Sequence, residues 1–282
     1  MNLSLVIFIA QIFYFILLNY KVDAIVGGES DNTNAHSYQV ALLIRRNKDS
    51  KFRSRCGGVI ISDHHILTAA HCIILRDGTK RKLRNIVVYV GSNRLDGRGK
   101  RYVIKNIFIK KRFSYQPWNN DLAVIQLEEK LNSEQDKSIS KALLPDTKTE
   151  NYDGKLTVAS GFGIFKYETV VDENNHISKI PKFAGIRQYI YVPVVDCNKN
   201  NPKYICVGAN KYNKVVQEIA EGDSGGPLIY DHKVIGIIGQ SDKMTTLREK
   251  PAFLTRVSYF LRFIQESMKK VNYEKPSGIH EL

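Results

Sequence analysis

The residues Glu221-Gly222-Asp223-Ser224-Gly225-Gly226-Pro227 set a serine among glycines, directly after an aspartate. Glycines there cost chain entropy on folding and contribute little packing. Such a loop makes sense where backbone N–H groups face a ligand and a hydroxyl stands exposed. A nucleophilic serine needs that exposure, donors for a developing oxyanion, and a nearby base. A plain Gly-rich turn between strands is the alternative reading. Of seven histidines, His71 stands out in Leu67-Thr68-Ala69-Ala70-His71-Cys72. A crosslink at Cys72 would fix the backbone of a general base beside it. A lone histidine can equally be an ordinary surface or core residue. Asp121 opens the apolar run Leu122–Leu127. A buried carboxylate needs partners, and an imidazole N–H is a natural one.

The elements that must position these residues read as short strands. Runs of β type occur at Ser37–Ile44, Gly57–Ser62, Ile66–Ala69, Ile86–Val90, Tyr102–Ile109 and Leu122–Leu127. A polar stretch, Glu128–Asp153, has little periodicity and reads as a linker. Strand-like runs resume at Lys155–Ala159, Gly185–Val194, Tyr204–Val207, Pro227–Tyr230, Val234–Ile238 and Pro251–Arg256. Helical spacing occurs only in Tyr259–Met268, where Phe260, Phe263 and Ile264 share a face. Many short strands with frequent turns predict an all-β barrel or sandwich. The polar tail, residues 271–282, is expected to fray.

The chain has 282 residues, 43% of them hydrophobic, enough for one or two domains. Its first residues are apolar from Leu5 to Leu18, short for a membrane span and followed by Val22-Asp23-Ala24. Residues 1–24 are read as a secretory signal, the alternative being an uncleaved anchor. Cys56, Cys72, Cys197 and Cys206 suggest two disulfides in an exported chain, with three connectivities open. They show no Cys-x-x-Cys pair, so a structural zinc site is not expected. Formal net charge is +14. Residues 25–130 hold 20 Lys/Arg against 9 Asp/Glu. These bases are either solvated loop charge or a surface for polyanions such as sulfated glycans or anionic membranes. Nucleic acid is not expected, because no stacking motif accompanies the basic runs.

Taken together, Ile25-Val26-Gly27-Gly28, Cys56-Gly57-Gly58, the His71 segment, Asn120-Asp121-Leu122-Ala123, Gly161-Phe162-Gly163 and the Ser224 loop closely resemble the chymotrypsin-fold (trypsin-like) serine endopeptidases. The resemblance runs from residue 25 to about residue 270. It implies two six-stranded antiparallel Greek-key barrels, about 25–130 and 150–257, followed by a C-terminal helix. It implies that Ser224 attacks the scissile carbonyl, that His71 moves the proton, and that Asp121 holds the imidazole tautomer. The N–H groups of Gly222 and Ser224 would form the oxyanion hole, and the ammonium of a freed Ile25 would pair with Asp223. The disulfides implied are Cys56–Cys72 and Cys197–Cys206. No cofactor and no metal are implied. The segment matching the family's calcium loop, Asn93–Lys105, has one acid, Asp96, among many bases.

Three departures from the family bear on function. Ala24, not Arg or Lys, precedes Ile25. Signal cleavage is therefore expected to free Ile25 directly, the alternative being a short propeptide. Glu218 falls where trypsin-like members carry the pocket-base Asp, which points to Lys or Arg before the cleaved bond. Alternatively Glu218 pairs with a neighbouring base. Ser241 and Ala252 replace the pocket-wall glycines, and Ala220 replaces a cysteine. Thirdly, the strand edge that takes an extended substrate reads Gly239-Gln240-Ser241 in place of Ser-Trp-Gly. Trp118 maps to the wall of the next subsite, if it is not plain strand packing. The resulting expectation is a secreted, extracellular, monomeric serine endopeptidase acting on proteins or peptides and open to protease inhibitors. The alternative is a weak or silent homologue that binds through its basic surface.

Overall fold

The structure is a computed structural model. It describes residues 25–270, except 26, 148–149, 172–175, 198–200, 213–214, 218 and 240–250. The expected signal, the tail, Glu218 and Ser241 lie outside the described residues.

The expected all-β fold is what the chain adopts. The first sheet contains β1 (Gln39–Ile44), β2 (Arg53–Ser62), β3 (His65–Thr68), β4 (Ile86–Val90), β5 (Lys100–Tyr102), β6 (Ile104–Ile109) and β7 (Ala123–Leu127). Its order is β5-β4-β1-β2-β3-β7-β6. All six residues of β1 are buried, as are four of five in β7. These runs of Val, Ile and Leu read as continuously apolar because both faces are covered.

A hairpin of β9 (Ile164–Val171) and β10 (Ile177–Phe183) follows β8 (Leu156–Gly161). The second sheet adds β11 (Gln188–Val195), β12 (Tyr204–Val207), β13 (Pro227–Tyr230), β14 (Lys233–Ile238) and β15 (Ala252–Arg256). Its order is β11-β8-β13-β14-β15-β12, and β12 pairs back onto β11 to close a six-stranded barrel. Closure removes the exposed sheet edges. The first sheet is less complete: β5 and β6 at its two ends are consecutive in the chain and share no ladder.

The stretch read as a linker does join the two sheets, but it is not loose. Leu131, Ile139 and Ala142 enter the first core, and Leu143 bridges Lys233 in parallel. Helix α1 (Leu261–Lys269) crosses back so that Ile264 packs in that same core. Ile229, Val234 and Ile237 of the second sheet join it too. The first core thus reaches across to the second sheet, whose own core around Ile190, Ile205, Leu228 and Leu254 is a separate cluster.

Candidate active site

His71 lies in a single 3-10 turn, Ala70–Cys72, just after β3. The Cys56–Cys72 disulfide ties that turn to β2. Asp121 precedes β7, which pairs with β3, so the strand register sets the acid against the base. Asp121 is 1% exposed. Its Oδ1 accepts the His71 backbone N–H at 2.9 Å, and its Oδ2 lies 2.8 Å from His71 Nδ1. An Nδ1–H donated to Oδ2 leaves Nε2 as the acceptor. The Thr255 hydroxyl donates to the Asp121 carbonyl at 2.9 Å, fixing the backbone under the carboxylate.

Ser224 occupies the turn before β13. Its carbonyl accepts Gly57 N–H at 2.7 Å, while Gly225 N–H donates to Ile238 O at 2.7 Å. The nucleophile candidate is thus held between β2 on one side and the end of β14 on the other. Gly222 and Gly225 have φ of 96° and 80°, backbone that a side chain would strain. A Cβ on Gly225 would also strike Thr68 Oγ1 and the Gly57 carbonyl. Among the described residues, the N–H groups of Gly222 and Ser224 donate to no protein acceptor. His71, Gly222 and Ser224 line one open cleft of about 1130 Å³.

Behind the turn, Asp223 is fully buried. Its Oδ1 accepts Gly163 N–H at 2.9 Å and its Oδ2 accepts Ala220 N–H at 3.0 Å. A Cβ on Gly161 would overlap the carboxylate, which explains the paired glycines around Phe162. Burial pushes the Asp223 carboxyl up to about 7, against the pull of those two donors. No cation pairs with it among the described residues. The Ile25 side chain sits fully buried in the core of the second barrel, with Gln217 holding the Gly27 carbonyl.

Both disulfides, Cys56–Cys72 and Cys197–Cys206, form as the resemblance implied. Cys56, His71 and Cys72 cluster closely enough to suggest metal ligands, but the crosslinked sulfurs offer no thiolate.

The structure brings Trp118 and Gly239 beside the triad candidates. The Trp118 ring centroid lies 5.5 Å from that of His71. A Cβ on Gly239 would stand 3.5 Å from Asp121 Oδ2 and 3.7 Å from Trp118 Nε1. Ala252 opens β15, and Ala220 is buried beside Asp223. Three supporting residues escaped the sequence reading. Tyr115 donates its hydroxyl to the Ile74 carbonyl at 2.6 Å, bracing the chain just after the His71 turn. Thr68 binds the Gly57 carbonyl at 2.8 Å, and Thr255 braces Asp121. For Thr68 and Thr255 a hydroxyl inside an apolar strand run was the signal available, because such groups need a partner when buried; Tyr115 lies outside those runs and offered none.

The family model described as Trypsin matches residues 25–264. The chain belongs to the trypsin family. Beta-fibrinogenase brevinase of Gloydius blomhoffii is 26% identical, over 86% of this chain and 94% of its own length. Trypsin theta of Drosophila erecta is 28% identical over 76% and 75%. Tissue-type plasminogen activator of Rattus norvegicus is 26% identical over 87% of this chain, which spans 45% of that relative. Among solved structures, a scabies mite inactivated protease paralogue superposes with a TM-score of 0.68 at 22% identity, covering 86% of this chain and 97% of that one. Human heparin binding protein does so with a TM-score of 0.68 at 20% identity, covering 88% and 98%. These two likenesses concern the fold.

Proposed function

We propose that this trypsin-family chain is a secreted serine endopeptidase that hydrolyses peptide bonds through an acyl-enzyme on Ser224. The observation that carries the reading is the orientation of His71. Its Nδ1 is held by a buried carboxylate that also grips its backbone, so its Nε2 is the basic atom left for the cleft. As the Ser224 Oγ–C bond forms, the hydroxyl proton passes to Nε2. Negative charge on the former carbonyl oxygen meets the free N–H groups of Gly222 and Ser224. Collapse breaks the C–N bond and the imidazolium gives its proton to the leaving amine. Water, deprotonated by His71, then releases the acid and restores Ser224.

The mature chain is taken to begin at Ile25, freed by removal of residues 1–24, with its new ammonium paired to Asp223. Its partners would be protein or peptide substrates and protease inhibitors. It would work as a monomer without a metal or cofactor. On the family resemblance Glu218 would favour Lys or Arg before the bond, in a pocket that the replacement of two glycines by Ser241 and Ala252 would make narrower; a peptide library with no basic preference would refute this.

A second reading, a silent homologue that binds polyanions through its basic half, draws on the fold likeness to human heparin binding protein and to an inactivated paralogue. Fluorophosphonate labelling separates the two. The enzyme reading expects covalent labelling that is lost in Ser224→Ala and in His71→Ala. Absence of Ser224-dependent labelling in a folded sample would decide for the binder.

A further inference from the structure

The cleft at Ser224 does not run only toward the pocket side. Beyond His71 and the Cys56–Cys72 disulfide it continues between two loops, and its walls there are basic. Arg45, Arg46, Lys51, Arg53, Arg76 and Arg81 all line it, against one carboxylate, Glu221. A second cleft of about 320 Å³ shares Arg45, Arg46, Leu75 and Arg81 with the first and has no acidic residue in its wall. Among the described residues, no ion pair to a carboxylate involves Arg45, Arg46, Lys51, Arg53 or Arg76. Two of the cations are anchored by hydrogen bonds to the protein. Arg45 donates to Asn85 Oδ1 at 3.3 Å and to the carbonyls of Lys48 and Arg84, and stacks over Phe52 at 4.8 Å. Arg81 Nε donates to the Cys72 carbonyl at 3.1 Å. A guanidinium fixed by its neighbours loses little freedom when a carboxylate arrives.

Direction follows from the family resemblance, which puts the acyl half of the substrate at the Gly239 edge; the Ser224 backbone lies between that edge, through Ile238, and Gly57 beside the disulfide. The acyl half of an extended substrate adds as a strand at the Gly239 edge. The leaving half must then pass over the disulfide, into the basic part of the cleft. We propose that this part selects substrates carrying Asp or Glu in the first few positions after the scissile bond. This rests on the endopeptidase reading above. A sulfated glycan would meet the same charges, but His71, Gly222 and Ser224 line the same cleft, so a long polyanion there would cover the reacting atoms. An acidic peptide satisfies the arginines while it is being cut.

The test uses the secreted protein and internally quenched peptides. They are identical up to the bond, with Asp-Glu, Ala-Ala or Lys-Lys after it, built on a sequence the protein cleaves in a random peptide digest. Each exposed ion pair is worth up to about fivefold, so the acidic peptide should exceed the alanine one by on the order of tenfold in kcat/KM at low salt. That ratio should shrink as ionic strength rises, a readout needing no variant. Arg45→Ala with Arg76→Ala should flatten it further, with Ser224 labelling confirming a folded site. Cleavage with labelling but equal rates on all three peptides would overturn the inference while leaving the endopeptidase reading intact. So would a double variant that loses heparin retention and keeps the acidic preference, which would make the surface a glycan site. Neither labelling nor cleavage would overturn both.

Discussion

Two aspartates in the site face opposite demands. Asp121 must stay charged and accept from His71 at both oxygens. In Asp121→Asn the amide can accept at only one of them, and the backbone N–H of His71 competes with Nδ1 for it. The imidazole then turns toward the tautomer with Nε2–H, which cannot take the Ser224 proton. Steady-state assays should show kcat falling on the order of 10⁴-fold, the magnitude known for this same change in the trypsin family's own Ser-His-Asp triad, with KM little changed. A loss under tenfold would mean that His71 is oriented by something else.

Among the described residues Asp223 has no counter-charge, and the proposed activation would give it one in the ammonium of Ile25. The Asp223 carboxyl is pushed up to about 7 by burial. An acid whose pKa rises on folding holds its proton more tightly when folded, so stability falls as pH climbs from about 4 to about 7. Thermal melts in a Ser224→Ala background should show this slope in protein that retains Ala24. Protein beginning at Ile25, whose ammonium favours the carboxylate, should lack it. Parallel pH profiles for the two forms would remove Asp223 as the partner of the new terminus.

At the scale of elements, the sequence exposed what the core demanded and hid what the core ignores. The barrel strands were legible as apolar runs except β5 (Lys100–Tyr102), two of whose three residues are exposed, so that its buried Tyr102 was read as the start of the β6 run. The turn at Ser224 was legible because glycines at positive φ leave a compositional mark. The β9–β10 hairpin was not foreseen. Val170, Ile177, Ile180 and Phe183 are all exposed, Ile177 to 72%, so apolar residues at these positions mark no core face. Its strands are paired to each other and to no sheet. The short turn that carries Trp118 was missed for a similar reason. It is built on the local pairing of Ser114–Tyr115 with Trp118–Asn119 and on an aromatic cluster of Phe113, Tyr115 and Trp118. Contacts between side chains far apart in the chain, such as Thr255 with Asp121, leave no periodic trace at all.

At the scale of the whole molecule, one buried ion pair joins the segment after Ile25 to both sheets. Arg187, 1% exposed, precedes β11 and donates Nε to Asp31 Oδ2 at 2.9 Å. It also binds Asn34 Oδ1 and the Gln39 carbonyl, while its own N–H reaches the Asn93 carbonyl at 2.7 Å. Asp31 in turn accepts the backbone N–H groups of Ala35 and His36. Burial alone would raise the Asp31 carboxyl. The His36 contact and the Arg187 charge overcome this and hold it well below the usual carboxylate range. The pair's stabilisation is therefore complete above the ordinary carboxylate pKa near 4 and is lost as pH falls through the depressed folded value. Asp31→Asn leaves Arg187 buried without its counter-charge, a loss of about 3–5 kcal/mol where such pairs have been broken. Denaturant titrations at pH 7 should show that deficit, and titrations repeated toward pH 3 should show it beginning to narrow, because Asp31 of the unfolded wild-type chain takes up a proton there while the folded carboxylate stays ionised. The same segment begins a few residues after Ile25, so the loosened chain should also dock its new terminus less firmly. Ser224 labelling of the variant should then slow at pH 7 although no catalytic residue has been touched. Wild-type stability together with wild-type labelling would show that Arg187 finds another anchor and that the pair does not hold the two sheets to the N-terminal segment.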